Sequence, residues 1–386
     1  MKILQISTPV LSISPDMKYG GTERVVRDLD SEYVRQGHES VVIAPGNSVI
    51  DGKLVPTIPQ NTWKPQNGGF SYDIDRSKTE DDFEEHCKRC LEIIVDENPD
   101  AIHDHTKLIT SKAYMEARMD LPLLTTFHGD LDDRSLSAID KIQKVRRNGV
   151  NFFGAISESQ RSIFKPYLKM DFMVYNAINT GDYPFQNKKK NYLFSIGKID
   201  RNKGQDTAIK VAKDLGEKLV MAGPVHVFSN RIREFWENEV EPQIDRFYGD
   251  IPVGEINGFI DYFEKSDEQI IHVGEINDRQ KQEWFKYSKG FLMPIRWREP
   301  FGLVMIESMV CGTPVVAYNL GAVPEIITDG KTGYIVEPED FEGFLYATKR
   351  LEQIDPYECR KSVVNSFDIS RQADDYIKVF NEINGN

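Results

Sequence analysis

Two glutamates, two lysines, a glycine pair and a histidine are the residues of this 386-residue sequence whose types and spacing could do chemistry. Glu299 and Glu307 flank Pro300-Phe301-Gly302-Leu303. An apolar run ending at Pro294 and another after Pro300 predict a strand, a loop and a helix starting near Pro300. Proline is tolerated there because a first-turn amide has no helical partner. Gly312 then supplies a left-handed stop. Glu299 is thereby placed just before a helix N-terminus and Glu307 about two turns along the helix. The amides of Phe301, Gly302 and Leu303 would face an anion, which such an end favours by about 0.3–1 kcal/mol. A carboxylate beside that end would accept sugar hydroxyls, and one farther along could hold those of a ribose. Alone, either glutamate reads as a helix-dipole partner or a solvated face residue; their joint placement is what points to a ligand.

The segment Gly197-Lys198-Ile199-Asp200-Arg201-Asn202-Lys203-Gly204 follows another apolar run and leads toward a helix. One or two cations opposite a helix N-terminus would neutralise a diphosphate leaving group, the work a metal does elsewhere. The bland alternative is two surface lysines in a turn. Tyr19-Gly20-Gly21-Thr22-Glu23-Arg24 lies between the first strand and a helix. Paired glycines let backbone approach a ligand closely, although a lone Gly-Gly marks many turns. His128, in Phe127-His128-Gly129-Asp130, closes the fourth strand, and His103 and His105 sit at the end of the third. A strand-end histidine is by itself more often structural, and His103 and His105 are read that way.

These segments together resemble the retaining glycosyltransferase family 4 (group 1 glycosyltransferases), of GT-B fold. The resemblance is carried by Glu299-x7-Glu307 around Pro-Phe-Gly-Leu, by Cys311-Gly312-Thr313-Pro314-Val315-Val316, and by Gly321-Ala322-Val323-Pro324-Glu325-Ile326. It implies that Glu299 holds donor-sugar hydroxyls, that the amides of Phe301, Gly302 and Leu303 bind sugar and diphosphate, and that Glu307 binds the nucleotide ribose. Lys203 takes the lysine of the family's Gly-Arg-x4-Lys-Gly element. Lys198 stands where the family has an arginine, so the planar fork for bidentate phosphate contact is lost. Gly20 and Gly21 match the glycine loop facing the donor phosphates, and His128 the histidine near the reacting carbon.

The implied reaction moves a hexose from a nucleoside-diphosphate sugar, UDP-glucose ahead of GDP-mannose, to a hydroxyl acceptor (small molecule, glycan or lipid-linked). His128, Glu299 and Lys203 are its catalytic residues. No cofactor is implied. Asp132-Asp133 and Asp81-Asp82 read as solvated loop and helix faces and not as a metal–diphosphate clamp, so cationic groups and helix ends are expected to replace a metal. A nucleotide-sugar epimerase of the same fold and a non-catalytic two-lobed binding protein are the rival readings. A nicotinamide dehydrogenase is disfavoured because no G-x-G-x-x-G with a later ribose acid follows either first strand.

The elements that must position these residues are short β-rich runs. In the first half they are Ile3–Thr8, Val41–Ala44, Ala101–His103, Leu123–Phe127, Phe152–Ile156 and Phe172–Tyr175; in the second, Tyr192–Ile196, Leu219–Ala222, Ile270–Val273, Phe291–Pro294, Val315–Tyr318 and Tyr334–Val336. Apolar runs without alternation suit strands covered on both faces. The helical patterns between them, such as Glu23–Gln36, imply parallel sheets with right-handed crossovers. The expected class is therefore α/β: two Rossmann-like domains facing each other across a cleft that holds the site. Residues 1–185 form the acceptor-side domain, joined by a crossover helix of about 366–386. Residues 191–365 form the donor domain, after a polar linker at 181–190. Val49–Thr79 reads as a long loop, and Val225–Gln269 as a local elaboration with packing of its own.

A formal charge of -13 argues against nucleic acid, whose phosphates the average field repels. No stretch approaches the roughly 18 apolar residues of a membrane span, although peripheral membrane contact stays open. The short start Met1–Ser7 reads as a buried strand and not a signal peptide. Four cysteines suit a reducing, cytoplasmic setting. Cys87 and Cys90 form a CxxC beside His86, but they lie on a predicted helix with no second pair at zinc-site spacing, so they read as structural.

Overall fold

A computed structural model describes residues 1–62, 64–65, 72–73, 76–106, 109–131, 133–225 and 230–385. The chain forms two compact units, one gathering Met1–Lys64, Asp73–Ile178 and the tail from Asp368, the other spanning Asn179–Phe367. In the first unit the strands are β1 (Lys2–Ile6), β2 (Glu39–Ala44), β3 (Lys53–Pro56), β4 (Ala101–Asp104), β5 (Leu123–Thr126), β6 (Asn151–Ala155) and β7 (Phe172–Met173). They make one parallel sheet in the order β3-β2-β1-β4-β5-β6-β7. In the second unit they are β8 (Leu193–Ile196), β9 (Leu219–Ala222), β10 (Arg246–Phe247), β11 (Ile270–His272), β12 (Gly290–Met293), β13 (Val315–Tyr318) and β14 (Gly333–Val336). These are also parallel, in the order β10-β11-β9-β8-β12-β13-β14.

Every predicted apolar run is a strand, with small shifts at its ends. The central ones are buried along their length, as helices on both faces of a parallel sheet require. Helix Gly21–Arg35 buries Val25, Val26, Leu29 and Tyr33, one stripe at helical spacing. Its buried Asp30 accepts from the Ser40 hydroxyl at 2.6 Å and from the Asp51 amide at 2.8 Å, tying the loop before β3 to the helix. Helix Ile369–Ile383 buries Ala373, Tyr376 and Phe380 against the first unit, where Gln372 accepts from the Ala177 amide at 3.1 Å.

Two expectations are corrected. Val49–Thr79 is not one loop: it contains β3, paired to β2, then a short ribbon of Lys64–Pro65 with Tyr72–Asp73, and the start of helix Arg76–Glu97. The rest of that span lies partly outside the described residues. β3 escaped notice because it is an edge strand, Lys-Leu-Val-Pro, exposed at both ends and closed by a proline. Val225–Gln269 does more than pack locally. It supplies β10, the edge strand that lengthens the second sheet beyond β11.

Helix Arg76–Glu97 carries Cys87 and Cys90, both buried, while His86 Nδ1 lies 2.6 Å from the Thr57 hydroxyl. This is the interior of a helix packed on a sheet. Among the described residues no three His, Cys, Asp or Glu side chains are grouped so as to hold a metal ion. Among them, too, no helix is long and apolar enough to cross a membrane.

Candidate active site

In the second unit, chain segments leaving the carboxyl ends of three adjacent strands converge. After β8 the chain makes a turn, Arg201–Lys203, with the Asp200 carboxylate accepting from the Asn202 amide at 3.0 Å and Gly204 closing the turn. After β12 the loop is held to this turn by the Arg296 amide, which donates to the Asn202 carbonyl at 2.8 Å. After β13, Gly321 bridges to Glu299, and the Ala322 amide donates to the Glu299 carbonyl at 2.9 Å. A Cβ at Gly321 would collide with the Glu299 backbone, so this approach requires glycine. The Gly-Ala-Val-Pro-Glu-Ile motif thus braces the main chain of Glu299.

Bracing brings Lys203 and Glu299 together. Lys203 Nζ lies 3.0 Å from Glu299 Oε2, with the two side chains 24% and 12% exposed. The ammonium also sits 4.4 Å from the centre of the Trp297 ring, a cation–π contact that limits its freedom. Trp297 was not singled out by spacing, since one aromatic in a loop has no pattern of its own. Lys198 is more exposed, and its ammonium lies 3.7 Å from the Asp200 carboxylate. Arg231, also unforeseen, reaches the same carboxylate at 3.7 Å.

The helix begins later than expected. It is Leu303–Val310, with Gly302 as N-cap at φ 88°. Pro300 and Phe301 belong to the preceding loop, because the chain must turn through a left-handed residue before the helix can start, and only glycine does so freely. The Leu303 and Val304 amides are the first-turn donors without intrahelical acceptors. Glu299 therefore lies one further turn of chain away from the helix than proline at the first position would place it.

Glu307 is buried and has its own partner. Its Oε1 lies 2.6 Å from Lys281 Nζ, on helix Asp278–Tyr287, and accepts from the Tyr183 hydroxyl at 3.4 Å. The Lys281 ammonium also contacts Asp278 at 3.0 Å. Glu307 Oε2 is buried with no protein partner among the described residues. Sequence reasoning missed Lys281 because a lysine in a charged helix looks like a solvated one. The burial of Glu307 on a helix of apolar residues was the available signal.

In the first unit the site residues also lie beyond strand ends. The Gly20–Gly21 turn follows β1 by a loop, and Gly20 is the N-cap of helix Gly21–Arg35. Glu23, in the helix's first turn, is buried and accepts from the Thr8 hydroxyl at 2.9 Å. Burial raises its pKa above the usual carboxylate value. His128 follows β5, and His105 follows β4, its neighbour in the sheet. His105 Nδ1 and His128 Nε2 are 2.8 Å apart. His103, the inner member, has its ring centre 3.9 Å from that of His105, the two rings tilted by 43°, and places Nε2 2.8 Å from the Thr126 hydroxyl. Burial holds the pKa of both His103 and His105 well below 6.5, so both rings are neutral. His105 was read as structural; the structure sets it directly against His128.

The family model described as "Glycosyl transferases group 1" matches residues 183–363, and that described as "Glycosyltransferase Family 4" matches residues 19–181. An uncharacterized 41.2 kDa protein of the cps region of Klebsiella pneumoniae is 28% identical over 231 residues, 54% of this chain and 54% of that protein. The chain thus spans about half the length of this curated relative. Sucrose-phosphate synthase from Thermosynechococcus elongatus shares the fold, with a TM-score of 0.71 at 16% identity, covering 99% of this chain and 98% of that one. HepE of Anabaena, solved in complex with UDP-glucose, does so with a TM-score of 0.66 at 15% identity, covering 98% and 100%. Two parallel α/β sheets, strand-end loops built around the Glu-x7-Glu motif and two family matches that between them take in both units lead to one assignment: the chain belongs to the group 1, family 4 glycosyltransferases, of GT-B fold.

Proposed function

We propose that the protein is a retaining, metal-independent hexosyltransferase that uses a nucleoside-diphosphate sugar, UDP-glucose in preference to GDP-mannose, and a hydroxyl acceptor. The observation that carries this reading is the Lys203–Glu299 contact at 3.0 Å, ahead of helix Leu303–Val310. Without substrate the two charges neutralise each other. An arriving diphosphate would draw the ammonium to itself, aided by the first-turn amides, and release the Glu299 carboxylate to accept sugar hydroxyls. Lys198 adds a second, more exposed cation. Glu307 Oε2, without a protein partner among the described residues, offers an acceptor for a ribose hydroxyl. The Gly20–Gly21 turn and His128 take the phosphate and sugar roles that the family pattern assigns them.

In this mechanism the bond from the anomeric carbon to the β-phosphate oxygen breaks through an oxocarbenium-like state. The acceptor hydroxyl attacks on the face the phosphate leaves, and its proton passes to the departing diphosphate. Preference for a UDP-sugar is supported by HepE, a relative in fold whose structure contains UDP-glucose. Work in the cytoplasm is supported by four buried cysteines that form no disulfide.

The test is a thermal-shift and transfer assay with UDP, GDP and their sugars, run with excess chelator. A ligand at a hundredfold excess over its Kd stabilises the native state by about 2.7 kcal/mol. UDP and UDP-glucose are expected to raise the Tm, and sugar transfer to persist in chelator with the anomeric configuration kept. No shift with any of the nucleotides would overturn the donor assignment, and loss of turnover on chelation would overturn the metal-free one.

A further inference from the structure

We propose that His105 sets the tautomer of His128: the Nδ1–H of His105 donates to Nε2 of His128, so that His128 carries its own proton on Nδ1. The proposal rests on reading His128 as the residue that meets the donor sugar. The placement comes from parallel pairing. β4 and β5 are neighbours in register, Asp104 opposite Thr125, so the residues just past each strand emerge side by side. The two rings lie 25° from parallel with centroids 5.1 Å apart, and one nitrogen of each is within hydrogen-bond distance of the other at 2.8 Å.

A neutral imidazole has one N–H and one lone pair, so that contact holds a single proton, and either ring could supply it. The far end of His105 decides between them. His105 Nε2 is buried and has no partner among the described residues. Were His128 the donor, His105 would have to carry its proton on Nε2, as a buried N–H with no acceptor, the rarer way of leaving a polar group unpaired. With His105 as donor, Nε2 is a bare lone pair beside the His103 ring, which lies 3.9 Å away. A doubly protonated His105 is opposed by burial first and by the neighbouring histidines second. Nor can the ring turn freely. It is held between His128 and His103, and His103 is itself packed against Tyr376 and Phe380 of the last helix and placed against the Thr126 hydroxyl.

The consequence is chemical. A neutral His128 with Nε2 accepting and Nδ1 protonated has no lone pair left to take up a proton. Such a ring can donate from Nδ1 but cannot act as the base, and the acceptor hydroxyl must lose its proton by another route, such as the leaving diphosphate. His105 is then a positioning residue acting through His128.

Long-range 1H–15N correlation spectra of the full chain with 15N-labelled histidine report which ring nitrogen carries hydrogen, without any substrate. The His128 signals are identified by their loss in His128→Gln. A pyrrole-type Nδ1 and a pyridine-type Nε2 on His128 are expected; the reverse pattern overturns the proposal. His105→Asn, whose side-chain amide can stand in for the Nδ1 donor, should keep the pattern and most of kcat. His105→Leu should lose the single tautomer and cut kcat about 10- to 100-fold, the range seen when the partner that orients a functional histidine is removed, with KM for UDP-glucose unchanged. Equal activity of the Asn and Leu variants would also overturn it. Should His105→Leu fail to fold, the spectrum of the unsubstituted chain still decides. The expected tautomer in a chain that turns over no nucleotide sugar would defeat the functional reading and leave the tautomer assignment standing.

Discussion

The strand-end loops of the two units are built from different materials. In the second unit they present charge, Lys203 against Glu299, and a second pair, Lys281 against Glu307, joins two of its helices. In the first they present imidazoles: His128 stacked on His105 with one nitrogen of each 2.8 Å apart, and His103 beside His105, the last two held neutral by burial. A carboxylate or ammonium can be withdrawn from water only beside an opposite charge. An imidazole withdraws by giving up its charge, which is why burial lowers the pKa of His103 and His105. The charged loops can exchange a protein partner for a ligand, as a diphosphate-binding site needs. The neutral ones can only hold a hydrogen-bond donor in place.

The comparison is broken most severely by removing one member of the buried pair. Lys281→Met leaves the Glu307 carboxylate buried with the Tyr183 hydroxyl alone, and should destabilise the protein by about 3–5 kcal/mol. Urea denaturation measures this, and the double change with Glu307→Leu should recover much of the loss. Unchanged stability of the single variant would mean that Glu307 does not depend on its lysine. Lys203→Ala should lower turnover by about 10²–10³-fold, as when a charge-stabilising donor is lost, and should weaken binding of the free nucleoside diphosphate. Unaltered affinity for that ligand would remove Lys203 from the phosphate site. Glu299→Ala should hurt transfer more than nucleotide binding; equal loss of both would argue that the carboxylate only braces Lys203.

Acid sharpens the contrast with a smaller effect. The unfolded chain takes up protons at its histidines near pH 6.5, while the folded rings resist them: burial lowers His86 to about 4 and His103 and His105 well below 6.5 in the first unit, and His272 to about 4 in the second. Below 6.5 the unfolded state therefore binds more protons, and stability falls as pH falls, by up to about 1.4 kcal/mol per pH unit for each such histidine. The first unit should loosen first between pH 6.5 and 4. Hydrogen exchange, corrected for its intrinsic pH dependence, would show it; equal loss from both units would contradict the neutral-ring account.

Much of this was legible in the residues. Short apolar runs marked the central strands because a strand covered on both faces has no polar side to show. The Glu-x7-Glu motif and the lysine segment marked the loops that bring Lys203 to Glu299. Edge strands β3 and β10 were not legible: half-exposed and short, they carry no continuous apolar run. The late helix start at Leu303 was hidden by Pro300, whose preference for a first turn is outweighed here by the left-handed turn at Gly302.

What the sequence by itself determined is local: which runs must be buried, where glycine allows the backbone to turn or approach, and which side chains carry charge into a loop. Those depend on residues close together in the chain. What only the tertiary structure decided is pairing: that Lys281 and not solvent answers Glu307, that Gly321 braces Glu299, and that His105 meets His128 across adjacent strands. Such partners are far apart in sequence, and strand order and register, not local preference, bring them within a hydrogen bond of each other.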